Sequence, residues 1–128
     1  MDIHSSGEDY LEAVLILSDR LEKVRSIDLS HFFNYSKASI SHAVSNLKEG
    51  GFLLMEEDGE LILTEEGREI AERTYEKHCF FRRKLIEAGV DPQVAEKEAC
   101  MMEHVISDDS FHKLKSRIEP QEEGNAGD

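Results

Sequence analysis

Apolar side chains recur at Tyr10, Val14, Leu17 and Leu21, a spacing that predicts an amphipathic helix opening at Ser6 as N-cap, with Asp9 three residues on. Ser26 is the expected cap of a short second helix, residues 27–33, with Ile27, Leu29, Phe32 and Phe33 as its apolar members. Asn34-Tyr35 reads as a turn. Ser36 then caps a third helix through Lys48, which buries Ile40, Val44 and Leu47 and stops at Gly50-Gly51. Beyond it the period shortens. Residues 52–55 and 61–63 are short β-type runs flanking Asp58-Gly59, a strong hairpin signal. Two strands directly after three helices make a winged helix-turn-helix.

Thr64 and the acids Glu65 and Glu66 open a long fourth helix running to about Ala88, with Gly89 as its stop. Asp91-Pro92 caps and starts a fifth helix, expected to carry Cys100, Glu103 and His104. Ser107 opens a sixth, whose apolar side is Phe111, Leu114 and Ile118. Residues 120–128 are polar and are expected to be a disordered tail.

Length allows one compact domain or two small ones: the chain has 128 residues, 39% hydrophobic and 34% charged. No apolar run approaches the ~18 residues that span a bilayer, and no signal-peptide core stands at the N-terminus. A cytoplasmic protein is expected, with no membrane partner. Two cysteines, Cys79 and Cys100, are too few for a disulfide framework. The net charge of −13 argues against a basic surface that holds nucleic acid generally. Yet the charge is uneven. Residues 119–128 hold Glu119, Glu122, Glu123 and Asp128 and no base, whereas residues 36–48 hold Lys37 and Lys48 and no acid.

The third helix is therefore the place where DNA contact is plausible. Ser36, Lys37, Ser39, His42 and Asn46 offer hydrogen bonds to phosphates or base edges, and Ala38 allows close approach or a thymine-methyl contact. Arg25 is a candidate for the phosphate backbone. With no arginine on this helix, direct base specificity is modest and DNA shape carries more of it. So few cations bind weakly as a single unit, which favours a homodimer on a palindromic double-stranded operator, with half-sites about one helical turn (~34 Å) apart.

Cys100, Glu103 and His104 stand at i, i+3 and i+4, one face of a helix. Thiolate, carboxylate and imidazole suit a divalent transition metal rather than Ca²⁺ or Mg²⁺. Asp9 and Glu12 form a second i, i+3 pair, and His78 lies mid-way along the fourth helix. Each is ordinary alone, since solvated acidic pairs and core histidines are common. Three donor-bearing helices in one short chain are not. A metal-storage or delivery protein without a DNA role is the alternative, and the helix-plus-wing counts against it. No two-histidine helix motif with a general base supports a hydrolytic metalloenzyme, so no enzyme is expected. A constitutive winged-helix regulator using Cys100 as a thiol sensor is a further option.

Several stretches carry a family resemblance: residues 8–12 (EDYLE), 24–29 (VRSIDL), 36–44 (SKASISHAV), 59–64 (GELILT), 75–78 (YEKH) and above all 98–108 (EACMMEHVISD). The chain resembles the iron- and manganese-dependent repressors of the diphtheria toxin repressor family, including its manganese transport regulator branch, over about residues 5–118. The resemblance implies a mainly α fold, an N-terminal winged helix-turn-helix followed by an α-helical metal-binding and dimerisation domain. The corresponding spans are 1–64, 65–119 and a tail at 120–128. It also implies metal-activated repression of metal-uptake genes. Six metal ligands follow from it: Asp9, Glu12, His78, Cys100, Glu103 and His104. Asp9 and Glu12 match the manganese branch, Cys100 the iron branch, and His78, Glu103 and His104 both. The set is a hybrid, compatible with Fe²⁺ or Mn²⁺, one or two ions per subunit; the thiolate leans towards Fe²⁺. Arg82 and Glu96 stand at two ligand positions of the iron branch's ancillary site, which is therefore not intact. The SH3-like domain of longer relatives is not expected. Leu85, Ile86, Val90, Val105, Ile106, Phe111 and Leu114 are the expected apolar subunit interface.

Overall fold

A computed structural model describes residues 5–119, and the expected disordered tail lies outside them. The described elements are α1 (Ser5–Ser18), α2 (Ser26–Phe33), α3 (Lys37–Glu49), β1 (Leu53–Met55), β2 (Leu61–Leu63), α4 (Glu65–Glu87), α5 (Pro92–Met102) and α6 (Asp108–Ile118). This is a mainly α chain whose first half is a winged helix-turn-helix. It divides into two compact units, Met1–Tyr75 and Glu76–Asp128, and the division falls inside α4. No described helix is long and apolar enough to cross a membrane.

In the first unit, Leu11, Val14 and Leu17 of α1 share a core with Leu29 of α2 and with Ile40, Val44 and Leu47 of α3. Leu53, Leu61, Ile70 and Ala71 close it. The strands pair antiparallel, Leu53 opposite Leu63 and Met55 opposite Leu61. Gly59 turns the wing tip at φ 89°, a left-handed conformation that glycine adopts without strain. Ser36 caps α3 as expected, its Oγ accepting from Ser39 N–H at 3.1 Å.

Four local expectations change. α1 begins at Ser5, so Ser6 lies inside its first turn. Its far end comes early: Ser18 Oγ donates to the Leu15 carbonyl at 2.7 Å, and Asp19 N–H bonds to Ile16 only three residues back. Leu21 is left outside the helix and exposed. α2 starts on Ser26, with Arg25 in the cap position; Asp28 Oδ2 accepts the Arg25 backbone N–H at 2.8 Å. Asp28 anchors the helix start from its third position, because a carboxylate at N3 satisfies the cap residue's own N–H. The first strand starts at Leu53 rather than Phe52, whose carbonyl instead receives Thr64 N–H at 3.1 Å.

The second unit is built on aromatic packing. Phe80 and Phe81 of α4 meet Phe111 of α6 at ring separations of 5.3 and 5.9 Å, with Ala99 of α5 beside them. Phe111 is 1% exposed, so it belongs to this core and not to a subunit interface. Val105, by contrast, is 83% exposed. Asp91 caps α5 with Pro92 in its first turn, and Ser107 caps α6. Two buried groups lock the loops. Lys77 Nζ donates to the Ile106 carbonyl at 3.0 Å and pairs with Asp108 at 2.8 Å. Glu119 takes Arg83 Nη2 on both oxygens, at 2.9 and 2.7 Å, and Lys84 at 2.6 Å. That carboxylate holds the Lys84 ammonium above its ordinary pKa.

The wing and α4 meet at Thr64 and Gly67. Thr64 Oγ1 accepts from Gly67 N–H and donates to the Gly51 carbonyl at 2.7 Å. A Cβ on Gly67 would stand 2.1 Å from the Phe52 carbonyl oxygen, far inside contact distance. Backbone on both sides leaves no flexible group to yield. Gly67→Ala is therefore expected to destabilise the protein by about 1–3 kcal/mol despite alanine's better helix propensity. Denaturant melts followed by circular dichroism measure it; a variant as stable as the parent contradicts the close approach.

Candidate metal centre and nucleic-acid interface

The end of α5 determines how the three donors of the second unit converge. α5 stops at Met102, and Glu103 is its C-cap at φ −62°, ψ −20°. His104 follows in a turn, so neither residue lies within the helix as the spacing suggested. The chain nevertheless stays right-handed. Glu103 N–H reaches the Ala99 carbonyl at 3.0 Å, and His104 and Val105 make three-residue bonds to Met101 and Met102. The winding thus continues about a turn past the helix, and the i, i+3, i+4 geometry survives.

Glu103 is the centre of the cluster, with a side chain fully removed from solvent. His78 Nδ1 lies 3.1 Å from its Oε2, and His104 Nε2 lies 3.3 Å from its Oε1. One ligand atom from each of Cys100, Glu103 and His104 falls within 4.8 Å of the others. Both imidazoles are nearly buried, at 13% and 10% side-chain exposure. A buried carboxylate is costly unless cations or donors compensate it. Here the compensating groups are themselves metal-binding donors, and a thiol stands beside them. Imidazole, carboxylate and thiolate together fit a divalent transition ion.

Asp9 and Glu12 stand on α1, in the first unit, one turn apart and on one side of the helix. Glu12 is 8% exposed and Asp9 half-buried. From the sequence, Glu96 stands only at a position of an ancillary site that is not intact; in the structure its carboxylate contacts His78 Nε2 and lies 3.3 Å from Arg82 Nε. Its signal was present in the spacing. Glu96 precedes Cys100 by four residues and Glu103 by seven, extending the same face one turn earlier.

On α3, Ser36, Lys37, Ala38, Ser39, His42 and Asn46 are all exposed, opposite the buried Ile40, Val44 and Leu47. Asn46 Nδ2 lies 3.4 Å from His42 Nε2, so these two side chains present one polar surface. Arg25 is placed differently. Its Nε donates to the Asp58 carbonyl at 3.0 Å and its Nη2 lies 3.4 Å from Asp58 Oδ2, so it braces the wing tip. Lys23 joins it, 2.7 Å from the same oxygen.

Residues 2–61 match the iron dependent repressor N-terminal DNA binding domain, and residues 64–127 the iron dependent repressor metal binding and dimerisation domain. The chain belongs to the iron-dependent repressor family. It is 30% identical over 116 residues to an HTH-type transcriptional regulator of Methanocaldococcus jannaschii that is itself uncharacterized, covering 89% of this chain and 93% of that one. The transcriptional regulator MntR of Salmonella typhimurium is 27% identical over 104 residues, 81% of this chain and 66% of MntR. Among solved structures, the manganese regulator SloR superposes with a TM-score of 0.78 at 26% identity, covering 88% of this chain. The chain spans 53% of that structure, about half its length. Membership of this family makes the chain a metal-dependent transcriptional regulator with DNA-binding and dimerisation domains, not an enzyme.

The wing-tip pairing has a pH signature. Hydrogen bonds from Lys23 and from Glu60 N–H hold the Asp58 carboxyl at about 2, against an ordinary 3.8. A folded value below the unfolded one stabilises the fold above pH 3.8, and that contribution fades as pH falls through about 2. Lys23→Gln is expected to raise the Asp58 midpoint towards 3.8, as read by carbon-13 NMR titration of the carboxyl. An unchanged midpoint means that Lys23 does not hold it.

Proposed function

We propose that the protein is an Fe²⁺- or Mn²⁺-activated repressor of metal-uptake genes, acting in the cytoplasm as a homodimer on a palindromic operator. The observation that carries this reading is the convergence of His78, Cys100 and His104 on the buried Glu103, in a chain that also bears a winged helix. Asp9 and Glu12 are assigned to the same centre on the strength of the family resemblance, which completes a six-residue ligand set.

Each residue has a separate task in this reading. Glu103 is the central acceptor, held by its place at the end of α5. His78 and His104 offer neutral nitrogen donors from two directions, and Cys100 adds a thiolate that selects against hard ions. Asp9 and Glu12 bring the acidic end of α1, whose helix packs directly on α2, α3 and β2 of the DNA-reading unit. When bound, a divalent ion supplies the positive charge that lets these carboxylates and the thiolate share one place. Without it their mutual repulsion opposes that arrangement. The relation is a linkage: whatever favours the ordered arrangement favours DNA, and DNA favours the ordered arrangement in return.

Lys37, Ser39, His42 and Asn46 would contact the major groove, with Ser36 and Ala38 at its edge. Arg25 is assigned to wing positioning and backbone contact. The winged helix counts against a storage or delivery role.

Fluorescence anisotropy on a labelled palindromic duplex tests the reading. Saturating Mn²⁺ or Fe²⁺, the latter without oxygen, is expected to tighten binding about 5- to 150-fold over chelator-treated protein. Glu103→Ala and His104→Ala are expected to abolish the response, and Asp9→Ala to weaken it. Equal affinity with chelator and with metal overturns the proposal.

A further inference from the structure

Glu96 lies more than half exposed on α5, where a carboxylate is ordinarily a solvated surface charge of little consequence. Its surroundings are not ordinary. It accepts from the nearly buried His78 ring on one side, at Nε2, and takes the Arg82 guanidinium on the other, 3.3 Å away. The opposite ring nitrogen, Nδ1, faces Glu103 at 3.1 Å. Both nitrogens of one imidazole therefore meet carboxylates, from two different turns of α5 and its C-cap.

We infer that Glu96 is a positioning residue for the metal centre, holding the His78 ring with Nδ1 turned towards Glu103. The inference rests on the ligand role proposed for His78. A neutral imidazole carries one proton, and an ionised carboxylate only accepts. An ion on the Glu103 side would take the Nδ1 lone pair, so the one ring proton would then stand on Nε2, where Glu96 accepts it. Arg82 anchors the Glu96 carboxylate from the other side, with a planar guanidinium that keeps its charge at any working pH. The pair also fixes the rotation of the ring, which would otherwise turn about its χ2 angle. Carboxylates of this kind on the far nitrogen of a ligating histidine raise its donor strength and order it before an ion arrives.

The test uses the full chain and three variants, Glu96→Ala, Glu96→Gln and His78→Ala. Ring nitrogen-15 shifts of His78 in Zn²⁺-loaded protein report which nitrogen carries the proton. Calorimetric titration with Mn²⁺ alone reports affinity. The parent is expected to show the Nε2–H form. Glu96→Ala is expected to yield a tautomer mixture and an affinity loss of about 10- to 100-fold. Glu96→Gln keeps a carbonyl acceptor and is expected to recover most of both. Alanine favours helix on the exposed face of α5, so the fold is retained, which a thermal melt verifies. An Nδ1–H form in the parent, or Mn²⁺ affinity of Glu96→Ala within about twofold of the parent, overturns the inference. His78→Ala separates the two levels. If it abolishes binding while Glu96→Ala does not, only the role of Glu96 fails; if it leaves binding intact, the ligand role of His78 fails and this inference with it.

Discussion

A carboxylate with no solvent exposure, flanked by two imidazoles, constrains the entire second unit. His78 and His104 offset part of the cost of burying Glu103 there, approaching it within 3.1 and 3.3 Å. Those approaches depend on α4 and α5 being held at a fixed separation, which the Phe80, Phe81, Phe111 and Ala99 core provides. Lys77 then ties α4 to the chain immediately past His104 through the Ile106 carbonyl and Asp108. Aromatic packing and a buried ammonium thus serve one polar cluster. An apolar replacement of Glu103 with matching volume would remove the desolvation cost and could stabilise the unit. A charge retained where hydrophobic packing would be cheaper is the mark of a site kept for binding.

Much of the fold was legible because its signals are local. Ser36, Asp91-Pro92 and Ser107 each announced a helix start, and Gly59 and Gly89 supplied left-handed turns where the pattern broke. Burial of Ile40, Val44 and Leu47 follows from period alone. Other features were not legible, for different physical reasons. α1 ends at Ser18 because a side-chain hydrogen bond competes with the helical ladder, and Leu21 reads as apolar whether or not it is reached. α2 takes in Ser26 because the Asp28 carboxylate anchors the backbone N–H of Arg25, starting the helix one residue earlier than a Ser26 cap would. Phe111 reads equally as core or interface, since both bury it.

The candidate site was legible in its donors and illegible in its supports. Cys100, Glu103 and His104 advertise themselves by chemistry and spacing, and the right-handed turn past Met102 preserves the spacing even though α5 has ended. Glu96 and Arg82 are commonplace surface residues by type. Only the position of His78 between them and Glu103 distinguishes them from the other charges on these helices. Arg25 illustrates the same limit from the other side: a lone arginine beside a candidate recognition helix suggests phosphate, while its partners make it a brace for the wing.

The acidity of the chain is compatible with a DNA-reading helix once distance is considered. At physiological ionic strength the screening length is about 8 Å, so exposed carboxylates well beyond that from α3 contribute little to the field at a bound phosphate. What matters is the immediate surface, where Lys37, Lys48 and the polar edges of His42 and Asn46 lie without an acid between residues 36 and 48. Asp58, at the wing tip, is already paired with Lys23 and Arg25. A net charge of −13 therefore suppresses indiscriminate association with nucleic acid while leaving one face able to dock. Weak intrinsic affinity is the condition under which control works, since a repressor that bound its operator tightly by charge alone would have nothing left for an effector to add.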